Sequence, residues 1–198
     1  MKKAGSGILI LIVIVIVLAV ALFGSYNGLV TMEEDVNNSY ADLQTAVQRR
    51  ADLIPNLVNT VKGYASHEEE TLTKITEARA KVNEANNPKE LSEANAQLTR
   101  AIGDINVVAE AYPDLKANQN FIQLQDELAG TENRIAVARK DYNAVVKQFN
   151  TKVRRLPTSL FAKLLGFSQK DYFEADPGSE KAPEVDFGYI VPKYIVIG

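Results

Sequence analysis

Apolar residues recur every three or four positions through most of the chain, which is the spacing of one face of an α-helix. The pattern predicts three long helical segments, over residues 25–86, 88–112 and 121–156. Asn87 and Glu90 form a capping signature in front of the second segment. The third segment keeps a heptad frame, which favours long, nearly parallel packing. The chain is therefore predicted to be all-α, with an elongated antiparallel helical bundle.

Pro55 lies inside the first predicted segment and leaves two architectures open. Proline removes one helical hydrogen bond and usually kinks or ends a helix. The apolar stripe keeps its phase across Pro55, so we favour a kinked, continuous helix and a bundle of three long helices. If the chain instead folds back at Pro55, four pieces of similar length close a four-helix bundle.

A continuous first segment would be much longer than the second, which could then cover only its distal part. The apolar stripe near the start of the first segment would lack a partner within the chain. An exposed stripe of this kind predicts self-association or a partner protein. The stripe consists of Val36, Tyr40, Leu43 and Val47.

Residues 8–23 are apolar without exception and follow a short basic N-terminus, residues 1–7. A helix needs about twenty residues to cross a bilayer core of ~30 Å. We therefore predict a single transmembrane anchor over residues 8–25, with the lipid bilayer as its partner. The alternative is a cleaved signal peptide with a small-residue site at Ala19-Val20-Ala21. The length of the uncharged stretch and its Ile and Val content favour the retained anchor.

Flanking charges predict how this anchor is oriented. Lys2 and Lys3 precede it, whereas the residues that follow, up to Ala46, carry four acids and no base. Because Lys and Arg favour the cytoplasmic side, the N-terminus is predicted to be cytoplasmic and the bundle extracytoplasmic.

The amino-acid composition argues against several classes of function. The net charge of −3 gives no footprint for nucleic acid or for an anionic lipid surface, and the chain has no Cys and one His. No phosphate-binding glycine motif is present. His67, Glu68 and Glu70 lie close in sequence, but one His beside acids is more often a solvated helix face than a metal site. We therefore predict a non-enzymatic protein without cofactor or metal.

Charged residues near Pro55 and in the third segment form a candidate polar network or docking site. If the helices pair near Pro55, Arg134 and Arg139 are expected to meet acids or amides there. A network that fixes helix register is favoured over a ligand or partner site. The candidate residues are Arg49, Arg50, Asp52, Asn56, Glu132, Arg134 and Arg139.

The composition changes after the third segment. Residues 168–186 are rich in acids and are predicted to form a solvated linker. Residues 187–198 form an apolar tail, which either packs loosely or adds a strand to a partner's sheet edge.

Three stretches resemble the LemA family. They are QRRADLIPNLV at residues 48–58, AYPDLKAN at 111–118 and GTENRI at 130–135. The resemblance covers the bundle, residues 26–167, and continues to about Phe187. It implies a single-pass protein of the bacterial inner membrane with an antiparallel helical bundle, and it implies no reaction.

These observations predict a membrane-anchored helical scaffold or adaptor that forms a homo-oligomer or docks a membrane protein. The alternative is an extracytoplasmic sensory or ligand-binding bundle. A sensory bundle needs a second span to carry its signal inward, and this sequence has one hydrophobic run.

Overall fold

The computed structural model describes residues 3–174, except the side chains of residues 3–6, 8, 18, 19, 21 and 22. The predicted tail, residues 187–198, and most of the predicted linker lie outside this range. The described chain is all-α, as predicted. Its helices are α1 (Lys3–Lys62), α2 (Glu69–Glu84), α3 (Pro88–Ala111), α4 (Pro113–Lys116), α5 (Gln119–Arg154) and α6 (Ser159–Ala162).

Helix α1 runs through Pro55 without ending, as favoured from the sequence. Ile54, Leu57 and Val61 are all buried, so the apolar stripe continues on both sides of the proline. Burial of that stripe offsets the loss of one backbone hydrogen bond. The alternative fold-back at Pro55 is not adopted.

The expectation of one helical segment over residues 25–86 is wrong, because the chain reverses after Lys62. Polar residues interrupt the stripe at this point, while Ala65 turns into the core and is buried. Its N–H donates to the Val61 carbonyl at 2.8 Å and so closes the last turn of α1. Helix α2 then returns along α1, where Arg79 Nε donates to the Ala51 carbonyl at 3.2 Å. The bundle therefore has four long helices, with the reversal at residues 63–68.

The predicted start of α3 is confirmed. The Asn87 side chain accepts a hydrogen bond from the Glu90 N–H at 2.9 Å. The Glu90 carboxylate in turn accepts from the Asn86 N–H at 2.9 Å, which lowers the pKa of Glu90. These bonds satisfy two backbone donors near the helix start.

The stripe expected to be exposed is part of the core. Val36, Leu43 and Val47 are buried, and Tyr40 packs on Tyr142 of α5 with ring centroids 5.8 Å apart. Helix α5 has 36 residues, roughly 54 Å, and is long enough to cover the stripe that α2 and α3 do not reach. The expectation that these residues lack a partner within the chain is therefore wrong.

Residues 168–174 of the predicted solvated linker are packed against the bundle, which corrects the sequence interpretation for that part. Two asparagines of α5 each make a pair of hydrogen bonds with this segment. Asn150 binds the N–H and carbonyl of Lys170 at 2.8 and 2.9 Å, and Asn143 binds those of Phe173, both at 2.9 Å. Phe173 is buried, so the segment is held by its backbone and by its aromatic side chain.

No helix in the described part of the chain reaches the combination of length and apolarity that crossing a membrane requires.

Candidate functional site

Arg50 is a buried cation at the centre of the bundle. It lies on α1 and is only 4% exposed. Its Nη1 donates to Thr99 Oγ1 at 2.8 Å and to Asn95 Oδ1 at 3.3 Å, both on α3. The same atom lies 2.6 Å from Glu132 Oε2 on α5. One guanidinium therefore links three helices at a single level.

The groups around Arg50 compensate for the burial of its charge. A buried guanidinium must be paired and hydrogen-bonded to offset its lost hydration. Its planar donors fit a carboxylate and neighbouring oxygens better than a lysine ammonium would. The Glu132 side chain is 41% exposed, but its Oε2, the oxygen that faces Arg50, is buried. The cluster joins α1, α3 and α5 through polar contacts in the interior of the bundle.

A groove of about 680 Å³ lies between α1 and α5, close to this cluster. Its walls carry acids and arginines, with few apolar side chains. The lining residues are Arg49, Asp52, Leu53, Asp126, Glu127, Gly130, Thr131 and Arg134.

A second groove of about 470 Å³ adjoins the first and shares Arg134 with it. It follows the same two helices toward the N-terminal end of the bundle. Together the two grooves present charged side chains of both signs along one face, and the second groove also has apolar walls. The second groove is lined by Ser39, Asp42, Ala46, Asn133, Arg134, Val137, Ala138 and Asp141.

The structure separates the candidate residues into three sets. Arg50 and Glu132 form an ion pair, whereas the sequence predicts that Arg134 or Arg139 meets the acids and amides of the network. Arg49, Asp52 and Arg134 line the first groove. The Asp52 carboxylate also accepts a hydrogen bond from Gln48 Nε2 at 2.9 Å. Asn56 is exposed on α1, and Arg139 is half-buried on α5.

Sequence reasoning missed Asn95 and Thr99. These residues are four apart on α3 and each follows a buried apolar residue, Ala94 or Leu98. Two polar residues spaced by one turn beside an apolar stripe indicate a polar contact across the bundle. That spacing was a usable signal, but it does not identify Arg50 as the partner.

The residues considered for a metal have other partners. Glu68 accepts a hydrogen bond from the Tyr112 hydroxyl at 3.1 Å, which raises the pKa of Tyr112. Lys74 lies 2.6 Å from Glu70 and lowers the pKa of that carboxyl by hydrogen bonding. His67 is exposed. Among the described residues, no group of three His, Asp or Glu side chains is arranged to hold a metal ion.

Comparison with known proteins identifies one family that the sequence matches. The sequence profile of the LemA family matches residues 39–187. Protein LemA of Metamycoplasma hominis is 29% identical over 153 residues, covering 77% of this chain and 70% of that protein. Magnetosome protein MamQ 2 of Paramagnetospirillum magneticum is 25% identical over 181 residues, and magnetosome protein MamQ of Magnetospirillum gryphiswaldense is 24% identical. Each of these two matches covers 78% of this chain and 66% of the relative, just under two thirds of its length.

Proposed function

The chain belongs to the LemA family, and on that premise we propose that it is a membrane-anchored, non-enzymatic helical scaffold of the bacterial inner membrane. In this proposal residues 8–25 hold the chain in the bilayer, and the bundle self-associates or docks a membrane partner. Relatives named as magnetosome proteins support a role within a cellular structure.

The change in exposure along α1 carries this proposal. The large apolar side chains described between residues 9 and 23 are 49% to 71% exposed. From Leu29 onward, the apolar stripe of the same helix is buried in the bundle. Apolar residues on all sides of a helix are unfavourable in water and stable in lipid. The side chains of Ile8, Leu18, Ala19, Ala21 and Leu22 lie outside the described set, and in sequence they are apolar as well.

The continuity of α1 supports a retained anchor over a cleaved leader. The helix passes from the apolar run into the bundle core without interruption, through the possible cleavage site at residues 19–21. Cleavage there would cut inside a regular helix. In this topology the N-terminus with Lys2 and Lys3 is cytoplasmic and the bundle is extracytoplasmic.

Two arginines placed in the run test the anchor. Ile12→Arg with Ile16→Arg is expected to move full-length protein from carbonate-washed membranes to the soluble fraction, by at least about tenfold. The reason is that each arginine at the centre of a span costs roughly 2.5–3.5 kcal/mol.

Val137→Arg is the matched control. Val137 is an exposed apolar residue of α5 outside the run, so this variant should stay in the membrane. Retention of the double variant, or a mature chain that begins near Leu22, would contradict the anchor. Native mass spectrometry of detergent-extracted protein tests the scaffold role, and a lone monomer without any partner would contradict it.

The groove between α1 and α5 favours the ligand-binding bundle as a second candidate function. Arg134 joins both halves of this groove and is exposed. Arg134→Met should therefore change thermal stability little, within about 0.5 kcal/mol, and reduce capture of the native partner or ligand. A loss of stability with the interaction retained would assign Arg134 to the structural network instead.

A further inference from the structure

Three leucines are exposed at the end of the bundle where α5 stops. Leu156, Leu160 and Leu164 are 69%, 68% and 86% exposed and recur every four residues around α6. The heptad frame places Leu156 on the buried seam. The helix ends at Arg154, however, and the following turn directs Leu156 into solvent. We refer to these three residues as the leucine surface.

Aromatic contacts locate this surface at the level where the apolar run of α1 ends. Phe167, three residues after Leu164, packs edge-on against Tyr26 of α1, with ring centroids 5.8 Å apart. The same ring contacts Phe149 of α5 at 6.4 Å. Phe23, at the end of the apolar run, precedes Tyr26 by three residues, or roughly 4.5 Å along a helix. The leucine surface therefore lies beside the end of the proposed anchor.

The chain segment that carries the leucine surface has only positive charges, although Glu33 of α1 lies against Lys170 at its end. Residues 142–170 contain six Lys or Arg and no acid, in a chain whose net charge is −3. Five of these cations are exposed, and four of the five lie close to the leucines in sequence. These four are Lys152, Arg154, Arg155 and Lys163.

We propose that this end of the bundle docks on the anionic headgroup surface of the bilayer that holds α1. The leucines enter the interfacial layer, and the flanking cations lie over lipid phosphates. Exposed apolar side chains next to Lys and Arg are the pattern of interfacial membrane binding, and anionic lipid attracts each cation. The bundle is then attached at two points, which restricts its tilt relative to the membrane. This inference rests on the proposed anchor.

The absence of cysteine permits a direct test with one introduced thiol. Leu160→Cys in the full-length chain is labelled with an environment-sensitive fluorophore and reconstituted into vesicles. One set of vesicles is phosphatidylcholine alone and the other also contains phosphatidylglycerol. Quenchers attached to the lipid acyl chains, and iodide in the buffer, report whether the label faces lipid or water. Ser66→Cys, in the exposed reversal at the far end of α1, is the matched control.

In phosphatidylglycerol vesicles the label at residue 160 should be quenched by lipid and protected from iodide, and the label at residue 66 should show the opposite. Changing Arg154, Arg155 and Lys163 to Gln should lower the docked fraction by at least about fivefold, because each cation near an anionic surface is worth roughly that factor. The same loss is expected for the unaltered chain in phosphatidylcholine alone.

Other results would overturn the proposal. A label at residue 160 that iodide quenches, in protein that survives a carbonate wash, rejects docking and leaves the anchor intact. Protection from both quenchers identifies a protein, such as a second copy, as the occupant. Equal docking on both lipids rejects the role of anionic headgroups. Protein that the wash removes overturns the anchor, and this inference with it.

Discussion

Arg50 and Glu132 differ in their access to water, and this difference sets the cost of separating them. Arg50 is nearly fully buried, while the Glu132 side chain is partly exposed although its Oε2 is buried. Losing the carboxylate removes the negative charge beside a buried cation that also donates to Asn95 and Thr99. Removing one partner of a buried ion pair is more damaging than replacing both with apolar residues.

Glu132→Gln is therefore expected to destabilise the bundle by about 1–3 kcal/mol, since it removes the negative charge from the ion pair and keeps the side-chain shape. Urea unfolding of the full-length protein in detergent measures this change. Glu127→Gln, on the same helix but exposed, should change the free energy of unfolding by less than ~0.5 kcal/mol. Equal changes in the free energy of unfolding for the two variants would show that the ion pair does not stabilise the bundle.

Tyr142 makes the stability of the bundle sensitive to alkaline pH. Burial, with smaller contributions from Tyr40 and Asp171, raises the pKa of Tyr142 to about 12 from its ordinary value of 10.0. Its hydroxyl donates to the Asp171 carbonyl at 2.8 Å. The folded state thus holds this proton more tightly than the unfolded state does. The corresponding stability is complete below pH 10 and is lost as pH rises toward 12.

Unfolding measured between pH 8 and pH 11.5 should show this loss, and Tyr142→Phe should make the pH dependence shallower because it removes the titrating group. The variant should also cost about 0.5–1.5 kcal/mol at neutral pH through the lost hydrogen bond. Some dependence of stability on pH should remain in this variant, because burial also raises the pKa of Tyr40. An unchanged slope in Tyr142→Phe would contradict this assignment.

Helix α5 uses asparagines to hold an extended segment without a neighbouring strand. Asn143 and Asn150 are seven residues apart, so they lie on one face of the helix. Each amide offers one donor and one acceptor to a backbone N–H and carbonyl, as an adjacent strand would. The segment also places Lys170 Nζ against the Glu33 carboxylate of α1. These contacts cover α1 and α5 at the end of the bundle near Glu33 and Asn150, which α2 and α3 do not reach.

Asn150→Asp should release this segment, because a carboxylate accepts from the Lys170 N–H but cannot donate to its carbonyl. A loss of roughly 1.4 kcal/mol raises the open population about tenfold, and trypsin cleavage after Lys170 should accelerate by that factor. Mass spectrometry of the fragments measures the rate at this bond. Gln148→Asp, on an exposed position of α5, is the control and should not alter it. Unchanged cleavage in Asn150→Asp would show that Phe173 and Glu33 hold the segment without the amide.

On the scale of the whole molecule, folding changes the distribution of charge next to the proposed anchor. The sequence has no Lys or Arg between the anchor and Ala46, and this favours an extracytoplasmic bundle. The fold brings Arg154, Arg155 and Lys163 to the same end from more than a hundred residues away. The orientation rule counts positive residues close to the span in sequence, so these distant cations should not reverse the topology.

A thiol at the far end of the bundle tests this orientation. Ser66→Cys should react with a membrane-impermeant maleimide in intact spheroplasts, because residue 66 is exposed and the bundle is expected outside the cytoplasm. The unaltered chain, which has no cysteine, is the control. Labelling that requires lysis would place the bundle in the cytoplasm.

The sequence by itself determined the helical class, the capping of α3 and the family, and it favoured continuity through Pro55, because these depend on local spacing and on short motifs. Only the tertiary structure decided that the reversal falls at residues 63–68, that α5 buries the Val36 stripe, and that Asn95 and Thr99 hold Arg50. It also decided that residues 168–174 pack on Asn143 and Asn150. These features join residues far apart in the chain, and periodicity shows which face of a helix is buried but not what covers it.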